Sequence, residues 1–121
     1  MYDHVGLRVK DLAASQRFYT AVLGALGHAL NSSSDDHAGF GAGPSTFWLH
    51  KSDAAPAKGA HVCFTAADQA AVQQFHAAGL AAGGRDNGAP GTRAEYSAGY
   101  YAAFLIDPDG NNAEAVCHTP Q

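Results

Sequence analysis

Histidines at positions 4 and 61 open the same local sequence. The stretch from His4 to Gly27 returns, without a gap, from His61 to Gly84. Matches of Ala and Gly mean little in a chain so full of them, but His4/His61, Asp11/Asp68, Gln16/Gln73, Phe18/Phe75 and Leu23/Leu80 carry weight. Two copies are too few for a solenoid, so the repeat implies a pseudo-symmetric domain built twice from one supersecondary unit. Equivalent places on the first strand of each half put both imidazoles on one concave face about a pseudo-two-fold axis. The third residue with chemistry to offer is Glu114, in the closing run NAEAVCH, where alternation gives it the same face as Asn112, Val116 and His118. A carboxylate in the middle of an apolar strand is costly to bury without a partner.

The elements that must position these residues are legible in each copy. An apolar run (YDHVGLRV; GAHVCFTA) reads as a strand, and an aspartate then opens a helical stretch. Leu12, Phe18, Val22, Leu23 and Leu26 recur near the helical period in the first copy, as do Val72, Phe75, Gly79 and Leu80 in the second. Asp11 and Asp68 suit helix N-caps, and Gly27 and Gly83-Gly84 end the helices. Strand-like segments follow near 28–33, 37–42 and 46–51, then near 85–96, 100–107 and 111–118. The loop DPDG at Asp107–Gly110 suits a type I turn between antiparallel strands. The expectation is one α+β domain over 1–121: two βαβββ modules, over 1–52 and 59–118 with a linker at 53–58, forming a curved mixed sheet, a cup or half-barrel, with the helices outside.

Composition excludes several classes. The chain has 121 residues with 46% hydrophobic content, enough for a core, and a formal charge of −4 without the basic stripe that nucleic acid requires. The opening MYDHVGLRVK lacks the pattern of a signal peptide and no apolar run reaches the length of a membrane span, so a soluble cytoplasmic protein without a membrane partner is expected. Cys63 and Cys117 lie in apolar runs outside any CxxC spacing and read as reduced, buried small hydrophobes. No Ser-His-Asp order, GxGxxG or Walker motif appears, which argues against nucleotide chemistry.

The duplicated unit, the opening DHVGLRVKDLAASQRFYTAVLG, the second-copy HVCF and the ending YYAAFLIDPDGNNAEAVCH resemble the vicinal oxygen chelate superfamily. That superfamily includes glyoxalase I, fosfomycin-resistance thiol transferases, extradiol dioxygenases and bleomycin-binding proteins. The resemblance covers nearly the whole chain and does not choose among these activities. It implies a divalent transition metal (Zn, Ni, Mn, Fe or Co) on His4, His61 and Glu114, with open positions where the vicinal oxygens of a small substrate chelate. Glu114 would then be both ligand and catalytic carboxylate, and a lyase or isomerase passing through an oxyanion or enediolate is the most general activity. Aligning the two final strands through their turns sets Trp48 opposite Glu114. Glyoxalase I resembles this chain less there, because it has a glutamate from each half. His50, two residues along on the same face, is a substitute ligand to consider.

Strand parity adds Tyr100 and Phe104 to the concave face opposite Trp48, and Arg93, in the glycine-rich GGRDNGAPGTR with Arg85, is a candidate for holding an anionic substrate group. The same stretch has no lysine, which argues against a fosfomycin-type potassium loop. The competing reading is a metal-free, bleomycin-resistance-type protein that sequesters an aromatic molecule among Trp48, Tyr100 and Phe104. A third is an empty cup. The resemblance also implies a homodimer, in which half-cups are completed between chains and His4 and His61 come from different subunits; pairing of the halves within one chain stays open.

Overall fold

The computed structural model describes residues 1–54 and 59–118. The first module runs β1 (Val5–Val9), α1 (Leu12–Ala25), β2 (Ala29–Ser33), β3 (His37–Gly41) and β4 (Phe47–Lys51). The second runs β5 (His61–Thr65), α2 (Gln69–Ala81), β6 (Arg85–Thr92), β7 (Tyr101–Ile106) and β8 (Asn112–Cys117). Both expected caps form: the side chain of Asp11 accepts from the Ala14 amide and that of Asp68 from the Ala71 amide. The strand expected to reach position 96 stops at Thr92, where the chain turns, the Tyr96 amide bonding back to the Arg93 carbonyl. Part of the expected linker, 55–58, lies outside the described residues. Among the described residues no helix is long and apolar enough to cross a membrane.

The modules form two curved sheets with identical topology, β1-β4-β3-β2 and β5-β8-β7-β6. In each, the first strand runs parallel to the last and sits at the edge, because the helix between them returns the chain across one face. The two sheets are separate, and the modules meet mainly where α1 packs on α2. Alternation sends Leu7, Val9, Phe47 and Leu49 of the first sheet, and Ala113, Ala115, Ala103 and Leu105 of the second, toward the helices, all buried. Phe18, Tyr19 and Val22 of α1 and Val72 and Phe75 of α2 fill the space between, each burying apolar surface worth about 1.5–3 kcal/mol. Gly79 sets the spacing. A methyl group there would lie 2.2 Å from Leu105 Cδ1 and 2.9 Å from Val22 Cγ1, so only glycine lets α2 lie against both β7 and α1.

One polar cluster joins the modules. The carboxylate of Asp107, 3% exposed, accepts from Tyr19 Oη at 2.6 Å, from the Asn111 amide at 2.9 Å and from Asn111 Nδ2 at 3.2 Å. Its neighbour Asp109 accepts from the buried Ser15 hydroxyl of α1 at 3.2 Å. Asn111 Oδ1 in turn accepts from the Ala60 amide just before β5. The DPDGN motif therefore ties the last hairpin to the other module's helix and to the start of β5. Burial, and then the Asp107 charge, hold the Tyr19 hydroxyl well above the usual tyrosine range.

Tyr19→Phe removes one donor from a buried carboxylate and is expected to lower stability by about 1–3 kcal/mol. A phenol whose pKa is raised on folding stabilises fully below 10.0, its ordinary value, and less above it, where the unfolded chain ionises first. The wild type should therefore lose its advantage over Tyr19→Phe as pH rises past 10.0, in denaturant titrations of both proteins.

Candidate functional site

The faces of the sheets turned away from the helices carry the candidate residues. On the second sheet, Cα pairing sets Cys63 beside Glu114 and Phe104 on its other side, so the three side chains share one face, which His61 joins by alternation. His61 Nε2 lies 3.0 Å from Glu114 Oε1. His61 Nδ1 lies 3.2 Å from the Asn112 carbonyl oxygen, which only accepts, so Nδ1 is the donor of that bond. Tyr100 donates its hydroxyl proton to Glu114 Oε2. Glu114 is 3% exposed, whereas the His61 side chain is 48% exposed. A deeply seated carboxylate is thus met by a phenol on one oxygen and by an accessible imidazole on the other.

Phe104 stacks on the His61 ring, with centroids 6.5 Å apart and planes 22° from parallel. The Arg93 guanidinium lies over the Phe104 ring, 5.4 Å from its centroid, and donates to the Ala89 carbonyl at 2.8 Å. The Tyr100 ring meets Tyr96 and His118 edge-on. Burial, and then its hydrogen bond to Glu114, raise the Tyr100 hydroxyl above its ordinary value, which keeps it a donor. Cys63 corrects the expectation that both cysteines are buried: Cys117 is, but Cys63 is exposed on this open face. Its sulfur is nonetheless shielded, and that shielding, followed by the Glu114 charge, pushes the thiol up to about 12. Repeat alignment could have placed Cys63 here, since it lies two positions beyond His61 on the same strand.

On the first sheet the repeat-equivalent positions hold other residues. Gly6 pairs with Trp48 as Cys63 pairs with Glu114, which makes Trp48 the structural counterpart of Glu114. His4, with its side chain 60% exposed, bonds through Nδ1 to Asp3 Oδ1 at 2.7 Å. It lines a depression with His37, Trp48 and His50. The structure therefore brings His61, Glu114, Tyr100, Phe104 and Arg93 together, and sets His4 and Trp48 on the other sheet. Among the described residues of one chain, no three His, Cys, Asp or Glu side chains converge to hold a metal.

The donor chemistry of the second sheet still fits a divalent cation. With Nδ1 engaged by a backbone carbonyl, Nε2 is the ring nitrogen that presents a lone pair, and it is directed at the buried carboxylate. Orientation of a ligating imidazole by a carbonyl, and of a ligating carboxylate by a phenol, is the usual support of metal donors. One chain offers two such donors, and His4 is the remaining one of the expected set.

Two separate four-stranded sheets, each closed on one face by a single helix and bearing polar groups on the other, define a paired βαβββ protein. Residues 2–115 match the model of the Glyoxalase/Bleomycin resistance protein/Dioxygenase superfamily, and the chain belongs to that superfamily. A glyoxalase/bleomycin resistance protein from Albidiferax ferrireducens is 33% identical, with a TM-score of 0.82 over 96% of this chain and 97% of that one. A lactoylglutathione lyase from Agrobacterium tumefaciens is 25% identical, with a TM-score of 0.66 over 96% of this chain and 92% of that one. A glyoxalase I variant from Zea mays, 21% identical with a TM-score of 0.73, shares the fold over 99% of this chain and 46% of its own. No curated protein matches the chain.

Tyr100→Phe leaves one oxygen of a buried carboxylate without its donor and is expected to lower stability by about 1–3 kcal/mol. Thermal melting of Tyr100→Phe beside Tyr96→Phe checks this, because the exposed Tyr96 touches Glu114 only through Tyr100 and should leave the midpoint nearly unchanged.

Proposed function

We propose that the protein is a metal-dependent lyase or isomerase, acting on a small substrate with two adjacent oxygens. We propose further that its working site is a cup made from the second sheet of one chain and the first sheet of another. The observation that carries this reading is the pair His61 Nε2 and Glu114 Oε1, 3.0 Å apart and oriented from behind by a carbonyl and a phenol. His61 and Glu114 of one chain and His4 of a second copy would hold the metal. The likeness to a lactoylglutathione lyase supports the reaction class.

A bound divalent cation would supply a Lewis acid that stabilises negative charge on a substrate oxygen. The protein's own contributions follow from the geometry. Tyr100 fixes the plane of the Glu114 carboxylate and leaves Oε1 directed at His61. The hydroxyl, held in its protonated form, stays a hydrogen-bond donor to the carboxylate. Phe104 packs along the His61 ring and shields one side of the site from water. Arg93, above Phe104, sits where it can meet an anionic substituent. Trp48 in place of a second glutamate leaves three protein ligands, and hence more coordination positions for the substrate.

Metal content measured by mass spectrometry on chelator-free protein should approach one transition metal per chain, with loss in His61→Ala, Glu114→Ala and His4→Ala. If the cup is shared, unfolding and refolding a mixture of His4→Ala and Glu114→Ala chains should restore one intact site in each mixed dimer, because one interface then combines the unaltered halves. No recovery in verified mixed dimers would place all ligands within one chain. Failure of the wild type to take up Zn, Ni, Mn, Fe or Co would overturn the metal reading.

A further inference from the structure

The first sheet carries a second set of polar groups, apart from His61 and Glu114. β2 lies at the edge of that sheet, and the chain turns from it into β3 through Ser34, Asp35 and Asp36. Ser34 organises the turn. Its hydroxyl accepts from the amides of Asp36 and His37, both at 3.3 Å, and donates to Asp36 Oδ1 at 2.7 Å. The His37 ring is fixed between this turn and β2: Nδ1 lies 2.9 Å from Ser34 Oγ and 3.1 Å from Asp36 Oδ1, and Nε2 lies 3.3 Å from Ser32 Oγ.

The tautomer follows from these partners. Hydrogen bonds from Ser34 and then from His37 hold the Asp36 carboxyl below its ordinary range, so it is ionised and only accepts. Ser34 gives its one proton to Asp36. Nδ1 must therefore carry the ring proton, which leaves the Nε2 lone pair to accept from the Ser32 hydroxyl. A carboxylate behind one ring nitrogen and a serine hydroxyl in front of the other is the arrangement that makes a hydroxyl nucleophilic.

Register opens this hydroxyl to a small molecule. Ser32 pairs with Gly39 and Gly39 with Trp48, so Ser32 lies on the face turned away from the helices, with no side chain between it and the indole. A methyl group at Gly39 would stand 2.6 Å from Trp48 Cζ3, so the indole lies over that glycine and supplies an apolar floor beside Ser32. The Ser34 amide bonds to the His37 carbonyl. By the alternation of an antiparallel ladder, the Ser33 amide then points to the free edge of the sheet, one residue past Ser32. An amide in that place is a donor for a carbonyl oxygen that gains negative charge.

We propose that Ser32, His37 and Asp36 form an acyl-transfer site that hydrolyses esters of short carboxylic acids without a metal. A single indole beside the hydroxyl suits a short acyl chain. Ser32 Oγ attacks the ester carbonyl carbon as its proton passes to His37 Nε2. The tetrahedral intermediate collapses, the bond to the alcohol oxygen breaks, and the alcohol leaves with the Nε2 proton. Water then attacks the acyl-serine carbonyl and gives a proton to Nε2, and Ser32 Oγ recovers that proton as the carboxylic acid departs. Ser32 and His37 are the catalytic residues. Asp36, its side chain 81% exposed, is a positioning residue that acts through the ring. All three belong to one chain, so the site stands apart from the shared-cup reading.

The experiment exposes chelator-treated protein to a fluorophosphonate, which loses fluoride to a nucleophilic serine and leaves a stable phosphonate ester. Peptide mass spectrometry then reads the labelled residue, and hydrolysis of p-nitrophenyl acetate is followed in parallel. A phosphonyl group on Ser32 is expected, with ester hydrolysis above that of the denatured chain. Ser32→Ala should lose the label and slow hydrolysis at least about tenfold, and His37→Ala should slow labelling at least about a hundredfold. Asp36→Asn should lower kcat about tenfold with KM nearly unchanged, and Asp36→Glu should recover part of the loss. Circular dichroism verifies that each variant is folded. Labelling at another residue, label or full hydrolysis retained in folded Ser32→Ala, or hydrolysis that appears only with added metal would overturn the proposal.

Discussion

The carboxylate of Asp107 is almost wholly removed from water, and the placement of the candidate site follows from how it is held. Four donors surround it, from Tyr19 in α1, from the Asp109 amide and from the amide and side chain of Asn111. Asn111 passes the constraint on, because its Oδ1 accepts from the Ala60 amide while the Asn112 amide bonds to the Ala60 carbonyl. β5 and β8 begin at the next residues, so the register that sets His61 and Glu114 within 3.0 Å starts from this cluster. An ionised group buried among donors exacts a large penalty when any of them is lost, which is why such a cluster specifies one arrangement. The motif DPDGN therefore belongs to the site through position; the residues that face the ligand come afterwards on the same strand.

Periodicity and repetition made most of this architecture legible. The caps at Asp11 and Asp68, the helix stops, the strands and the Trp48–Glu114 equivalence all depend on local spacing or on aligning one half with the other. The family resemblance implied that Glu114 joins His61, and strand parity set Tyr100 and Phe104 on the same face. What spacing did not convey was the way the halves meet. Packing of α1 on α2 depends on shape, with Gly79 open to Leu105 and Val22, and glycine in a helix reads locally only as a weak position. For that reason the repeat alone did not decide whether His4 and His61 meet within one chain. Cys63 was misjudged because an apolar run gives no sign of which alternate residues a later strand will leave open.

Both sheets use their helix-facing sides for the same purpose and their open sides for different ones. The buried faces are apolar in both sheets, since a helix must pack on each, although equivalent places differ in size, with Phe47 against Ala113 and Leu49 against Ala115. The open faces are free of that requirement, and there the copies differ in chemistry, with Glu114 against Trp48 and Cys63 against Gly6. Apolar packing on one side thus coexists with different open faces, one carrying the Glu114 carboxylate and the other the Trp48 indole.

The cross-module clamp has a consequence for whether either half could stand alone. Tyr19, which meets Asp107, has His76 at the corresponding place of the second copy, and His76 bonds instead to Asp86 within its own module. Ser15, which meets Asp109, corresponds to Val72. The clamp is therefore one-sided and makes each half dependent on the other. Two copies of the present second half would bury two carboxylates with no phenol to receive them, and two copies of the first would have none of the acid chemistry. The halves are complementary parts of one unit, the first supplying the phenol and hydroxyl and the second the carboxylates that meet them.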